Sequence, residues 1–124
     1  MRGRKLEAMT RDHSLYVEME AAGVPGLPAR ADFPLTNVIT RAIGNPGDAP
    51  AEVRTIDVEA GDVFLLCTDG LHDVLGDERI EGVLAELPGF MSCPSLVGEA
   101  FLDGGADNIT GVVVEIGKPG TETW

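Results

Sequence analysis

The chain has 124 residues, enough for one domain that buries most of its surface, and at 44% hydrophobic but only 5% aromatic its core has to be aliphatic. Twenty-one acidic side chains against nine basic ones leave a formal charge of −12. That charge argues against nucleic acid or an anionic membrane as a partner, and it suits solubility or the gathering of divalent cations. Arg2, Arg4, Lys5 and Arg11 cluster early, but no apolar stretch follows and Glu7 and Asp12 interrupt them, so the segment does not read as a secretory or transit signal. No apolar run is long enough for a membrane span. Cys67 and Cys93 lack CxxC spacing, and Cys67 reads as a small buried hydrophobe in mid-strand. The expected compartment is the cytoplasm, with both thiols reduced.

In chain order, Lys5–Met9 reads as a short strand after a turn at Gly3. Ser14 is placed to cap a helix running to Ala22, with Gly23 as its stop. Gly23–Pro34 carries prolines and glycines that remove donors and break periodicity, so residues 23–36 are expected as a flap-like loop. Asn37–Ala42 reads as a strand and Gly44–Pro50 as a second loop. Glu52–Val58 alternates apolar and polar residues as a half-exposed strand does. Val63–Cys67 is an unbroken apolar run, expected as a strand covered on both faces. Asp77 is placed to cap a helix whose Ile80, Val83, Leu84 and Leu87 share a face, ended by Pro88-Gly89. Pro94 suits the first turn of the next helix, with Leu96, Val97, Ala100 and Phe101 inward and Gly104 as the stop. Thr110–Ile116 is the last strand, and Lys118–Trp124 reads as a frayed tail. The layout is α+β: an antiparallel sheet with two amphipathic helices packed outside it.

Two places carry chemistry. Val63–Cys67 runs straight into Thr68-Asp69-Gly70, and Gly104-Gly105-Ala106-Asp107-Asn108 leads into the last apolar run. Each device delivers a carboxylate to the rim of a sheet. If the two strands are neighbours, Asp69 and Asp107 converge. Oxygen donors with no nearby cysteine or histidine favour magnesium or manganese over zinc. The plainer reading of any Asp-Gly pair is a turn. His72 reads as a polar turn residue, and His13 as either a surface cap or a group that positions a ligand. The acids of Asp69–Glu81 lack EF-hand spacing, because Leu71 and Val74 fall where that loop needs oxygen and glycine. No nucleotide-binding loop and no serine-hydrolase elbow is present.

Four blocks in order carry a resemblance: Met9–Leu15 (MTRDHSL), Asn37–Gly44 (NVITRAIG), Asp62–Leu75 (DVFLLCTDGLHDVL) and Gly104–Val114 (GGADNITGVVV). From about Lys5 to Glu115 the chain resembles the C-terminal half of the PPM family, the type 2C metal-dependent serine/threonine phosphatases, in its compact bacterial form. The resemblance implies half of an α-β-β-α sandwich, forming one partial domain over residues 1–117. It implies Asp69 and Asp107 as ligands of a two-metal centre holding Mn2+ or Mg2+, and Asp12 as a ligand of a third, weaker ion. Gly70, Asn108 and Thr110 would support the turns. The nucleophile would be a metal-activated water, so no catalytic side chain is implied.

The family's D-G-x-G-G block, its phosphate-gripping arginine and its G-D-S-R strand are not found in these 124 residues, and Arg41 is not read as a substitute. The chain is therefore expected to be a partial domain, with apolar sheet faces and edges left bare. The partners implied are a phosphoprotein substrate and a complementary N-terminal half or a second copy of the chain. The expected activity is hydrolysis of phosphoserine and phosphothreonine in proteins, weak or absent in the isolated chain. The alternative is a non-catalytic binding or scaffold module that retains half of a phosphatase fold.

Overall fold

The computed structural model describes residues 1–42, 44 and 51–117, and in it the two most apolar runs of the chain become a pair of strands. β1 is Val63–Cys67 and β2 is Gly111–Glu115. They run antiparallel, with Val63 opposite Glu115 and Cys67 opposite Gly111. Directly opposed residues share a face, so Leu65 and Val113 point one way and Phe64, Leu66, Val112 and Val114 the other.

The first of these faces lies under two helices. α2 is Asp69–Glu86 and α3 is Gly89–Leu102. Leu71, Ile80, Val83, Leu84, Leu96 and Ala100 form the buried core, and Val63, Leu65 and Val113 pack against it from the sheet. Each fully buried aliphatic side chain here is worth about 2 kcal/mol of transfer free energy. An ion pair joins the helices: Arg79 Nε donates to Glu99 Oε2 at 2.5 Å, and Ser95 Oγ donates to Glu99 Oε1 at 3.1 Å. The bond from Arg79 holds the Glu99 carboxyl below its ordinary pKa.

α2 is broken at Gly76, where φ is +69° and ψ 167°. Only glycine takes that backbone cheaply. The helix expected from Asp77 is thus the second part of α2, and Ile80, Val83 and Leu84 are buried as their spacing predicts. Its first part, starting at Asp69, is not predicted by that spacing. Asp77 Oδ1 sits 3.1 Å from His72 Nε2 instead of capping the helix backbone.

α3 starts at Gly89, so Pro94 lies inside the helix and not in its first turn. Proline has no N–H, so the Phe90 carbonyl loses its helical partner there. Leu96 and Ala100 are buried as expected, but Phe101 is 68% exposed. One residue turns a helix by about 100°, which carries Phe101 off the face that Ala100 buries. The helix ends at Leu102 with Asp103 as its C-cap, and Gly105 N donates to Ala100 O at 3.3 Å beyond it.

Three expected strands do not form. At the N-terminus, Arg2 and Lys5 exchange two backbone hydrogen bonds of 3.1 Å around Gly3, and Lys5–Met9 is not a strand. Asn37–Ala42 is reduced to one bridge between Ser14 and Ile39. Its bonds are Leu15 N to Val38 O and Thr40 N to His13 O, both 2.8 Å. Glu52–Val58 is exposed throughout and has no ladder. Alternation marks a face but does not by itself supply a partner strand, and Glu52–Val58 pairs with none of the described residues. β1 is not covered on both faces, because the helices pack on one face only and leave Leu66 on the other 59% exposed. Cys67 ends β1 and is exposed, not buried in mid-strand.

By Cα packing the chain divides into two units: Met1–Glu7 with the chain from Ile56 onward, and Ala8–Thr55. In the first, Met1 is anchored by its terminal amine on the Val63 carbonyl. Beside it the Arg2 guanidinium grips the buried Asp62 carboxylate with Nε to Oδ1 at 2.8 Å and Nη2 to Oδ2 at 2.7 Å. That bond, with a second from the Glu59 amide, pulls the Asp62 carboxyl down to about 2.

In the second unit, α1 is Leu15–Ala21, and Ser14 Oγ accepts from Val17 N as its N-cap. Gly23, at φ +64°, follows its end. Tyr16 meets Phe33 edge-on at 5.2 Å and donates its hydroxyl to Pro28 O at 3.2 Å. The expected loop after Gly23 is irregular apart from one 3-10 turn at Arg30–Asp32. Apart from Gly44, the loop expected at Gly44–Pro50 lies outside the described residues, as does the tail Lys118–Trp124. Among the described residues no helix is long and apolar enough to cross a membrane.

Candidate metal centre

The β1–β2 ladder continues one step beyond its last strand pair, with Thr68 N donating to Thr110 O at 3.0 Å. There the Thr68 side chain crosses between the two acid-bearing segments. Its Oγ1 donates to Asn108 O at 2.9 Å and accepts from Thr110 N at 3.1 Å. One hydroxyl uses both its donor and an acceptor position, which latches the start of α2 to the turn before β2.

Gly70 completes the approach. It is buried, and a Cβ placed on it would lie 2.6 Å from Asn108 O and 3.3 Å from the Cβ of Asp107. No side chain fits that gap, so glycine is required for close contact and not for its backbone angles. The first turn of α2 is therefore pressed against Asp107 and Asn108. Gly111 differs: a Cβ there would meet Cys93 Sγ and Leu71 Cδ1 at 3.5 Å each, an ordinary contact.

Asp69 and Asp107 consequently stand at the same end of the strand pair, both exposed. Each carboxylate is oriented by the next amide: Asp69 Oδ1 accepts from Gly70 N at 2.9 Å, and Asp107 Oδ1 from Asn108 N at 2.7 Å. Asp69 opens a helix and does not merely turn the chain. The Thr68-Asp69-Gly70 motif does not by itself mark Thr68 as functional; the hydrogen bonds across to residues 108 and 110 reveal its role.

The remaining polar candidates have partners of their own. Asp12 belongs to the Ala8–Thr55 unit, where its carboxylate lies 3.6 Å from Arg30. In that unit His13 Nε2 is 3.3 Å from both Glu52 Oε1 and Arg41 Nη1, and Arg41 is itself 3.4 Å from Glu52. His72 is an exposed residue of α2 with Asp73 at 3.3 Å and Asp77 at 3.1 Å. Among the described residues no three His, Cys, Asp or Glu side chains are grouped to hold a metal ion. The pair at Asp69 and Asp107 has the oxygen chemistry that a hard divalent cation takes, but such an ion needs more ligands than two.

No protein-family model matches the chain. Individual relatives do. Protein phosphatase PhpP of Streptococcus pneumoniae is 31% identical over 123 residues, which is 98% of this chain and 50% of that protein. The serine/threonine phosphatase of S. agalactiae superposes with a TM-score of 0.84 at 31% identity, over 93% of this chain and 48% of the other. The chain is homologous to PP2C-type serine/threonine phosphatases. The PstP/Ppp phosphatase of Mycobacterium tuberculosis agrees, with a TM-score of 0.82 at 30% identity over 94% of this chain and 49% of the other. The chain spans about half the length of the relatives it matches, consistent with the C-terminal half of such a phosphatase. PP2C-type phosphatases are metal dependent.

Proposed function

We propose that the chain supplies the C-terminal half of a metal-dependent centre that hydrolyses phosphoserine and phosphothreonine in proteins. The observation that carries this reading is that Asp69 and Asp107 stand at the same end of the strand pair, their segments tied together by the Thr68 latch and the side-chain-free contact at Gly70. These two carboxylates would hold Mn2+ or Mg2+, and Gly70 and Asn108 orient them. The role of Asp12 at a further ion rests on the resemblance alone. A bound divalent ion would supply an activated water and neutralise phosphate charge. These residues would present two anionic oxygen donors, one on the first turn of α2 and one in the bend before β2, each held by the next amide before the ion arrives, which would lower the cost of ordering them.

Two ligands do not complete such a centre, so we expect the remainder from a complementary half, and weak or no activity from the 124 residues alone. The bare sheet face supports that expectation. Leu66, Val112 and Val114 are 59%, 52% and 43% exposed on one side of a two-stranded sheet, an apolar surface of the kind a second sheet layer covers.

The test has two stages. Calorimetry with Mn2+ should give binding that Asp69→Ala or Asp107→Ala weakens at least tenfold, as expected when one of two charged ligands is lost. Hydrolysis of p-nitrophenyl phosphate should then appear when an N-terminal half from a relative is added, and vanish again with Asp69→Ala. Metal binding indifferent to both aspartates would overturn the site. The limited ligand set leaves a second reading, a non-catalytic scaffold module. It predicts no hydrolysis with any metal or added half.

A further inference from the structure

Thr68 stands where a strand and a helix make competing demands on one residue. By the β1–β2 register it lies opposite Thr110. In a regular antiparallel rung of this kind each residue donates its N–H to the other's carbonyl. Half of the rung is made, from Thr68 N to Thr110 O at 3.0 Å. The other half is not, because Thr68 O accepts from Leu71 N at 3.1 Å and His72 N at 3.3 Å, bonds that open α2. Thr110 N donates to the Thr68 hydroxyl instead, at 3.1 Å. Thr68 is also the N-cap residue of α2, a position whose side chain ordinarily accepts from an amide of its own helix. Ser14 Oγ does so for Val17 N at the start of α1, but Thr68 makes no such bond. Its Oγ1 is turned across to the neighbouring segment, where it also donates to Asn108 O at 2.9 Å.

We propose that Thr68 is the positioning residue of the metal centre: its hydroxyl stands in for its own carbonyl, so that strand ends and helix begins at a single residue, and this fixes Asp69 against Asp107. The proposal rests on those two aspartates being ion ligands. Asp69 follows Thr68 directly, and Asp107 directly precedes the residue whose carbonyl the hydroxyl holds, so one oxygen atom ties both ligands. Gly70 sets how near the two segments come, and Thr68 sets how far apart they can drift. The task needs an atom that donates and accepts at once, which a hydroxyl does and a methyl or a carboxylate does not. Mg2+ demands near-ideal ligand geometry and Ca2+ tolerates variation, so a loosened pair should lose Mg2+ first.

Thr68→Val keeps the side chain's shape and removes the hydroxyl. Thr68 is exposed, so circular dichroism should not change. In the metal-free chain the Thr110 amide should exchange at least tenfold faster. Calorimetry should show Mg2+ affinity falling about tenfold and Ca2+ affinity falling less, which shifts the preference toward Ca2+. Thr68→Ser should match the parent in all three measurements. Leu96→Ala, which loosens the core, should leave both affinities within about twofold, and this separates positioning from general stability. A valine variant with the parent's Thr110 exchange or Mg2+ affinity overturns the proposal. So does a serine variant that loses as much as the valine one. If Asp69→Ala weakens Mg2+ binding and Thr68→Val does not, the role of Thr68 alone falls. If neither does, the ligand reading falls with it.

Discussion

The two units of the chain are held together by different physics. From Ile56 onward, two helices close over one face of a strand pair and bury six aliphatic side chains in a continuous core. In Ala8–Thr55 the one buried apolar side chain among the described residues is Tyr16, and order comes from local devices. Those are the Ser14 cap, the edge contact of Tyr16 with Phe33 and a two-bond ladder beside Ile39. Burial scales with area, whereas caps and single hydrogen bonds contribute about 1 kcal/mol each. The first unit should therefore set the stability of the chain, and the second should respond mainly to loss of its caps.

Leu96→Ala tests the larger side of that contrast. Leu96 is fully buried under the sheet, and its truncation should cost about 3 kcal/mol in urea unfolding. A loss below about 1 kcal/mol would show that the helix layer is not the principal core. Gly70→Ala comes next, at about 2 kcal/mol, because the added methyl has to push Asn108 O back from 2.6 Å. Its second signature is weaker Mn2+ binding, since the displacement separates Asp69 from Asp107.

Ser14→Ala removes the cap of a seven-residue helix and should cost about 1 kcal/mol. Hydrogen exchange should report it as faster exchange within α1, with the amides of α2 and α3 unaffected. Uniform acceleration would mean that the two units open together.

The smallest effect is confined to pH. The folded Asp62 carboxyl sits at about 2, held down first by Arg2. A depressed carboxyl contributes stability above its unfolded pKa, near 4, and loses that contribution as pH falls toward 2. Arg2→Gln should thus melt earlier than the parent at pH 5, and the gap should close by pH 2. A gap that persists at pH 2 would assign the effect of Arg2 to packing.

Much of this was legible in the residues themselves. Val63–Cys67 and Thr110–Ile116 declared themselves as strands by their apolar runs, seen as β1 and β2, and Ser14 declared a helix start by its side-chain oxygen. Glu52–Val58 shows the limit of such reading: it has the alternation of a strand and no partner among the described residues. Phe101 shows another, since hydrophobicity predicts burial only where something lies above the residue.

Composition and local chemistry alone determined the two apolar strands, the capped helix at Ser14, the aliphatic core and the two acids poised at strand ends, because apolar runs, caps and glycine stops act within a few residues. Only the tertiary structure decided that residues 68 and 108 meet, that Gly70 must lack a side chain and that α3 turns two phenylalanines outward. Those outcomes depend on which segment lies opposite, and strand pairing and helix packing settle that across some forty residues of chain.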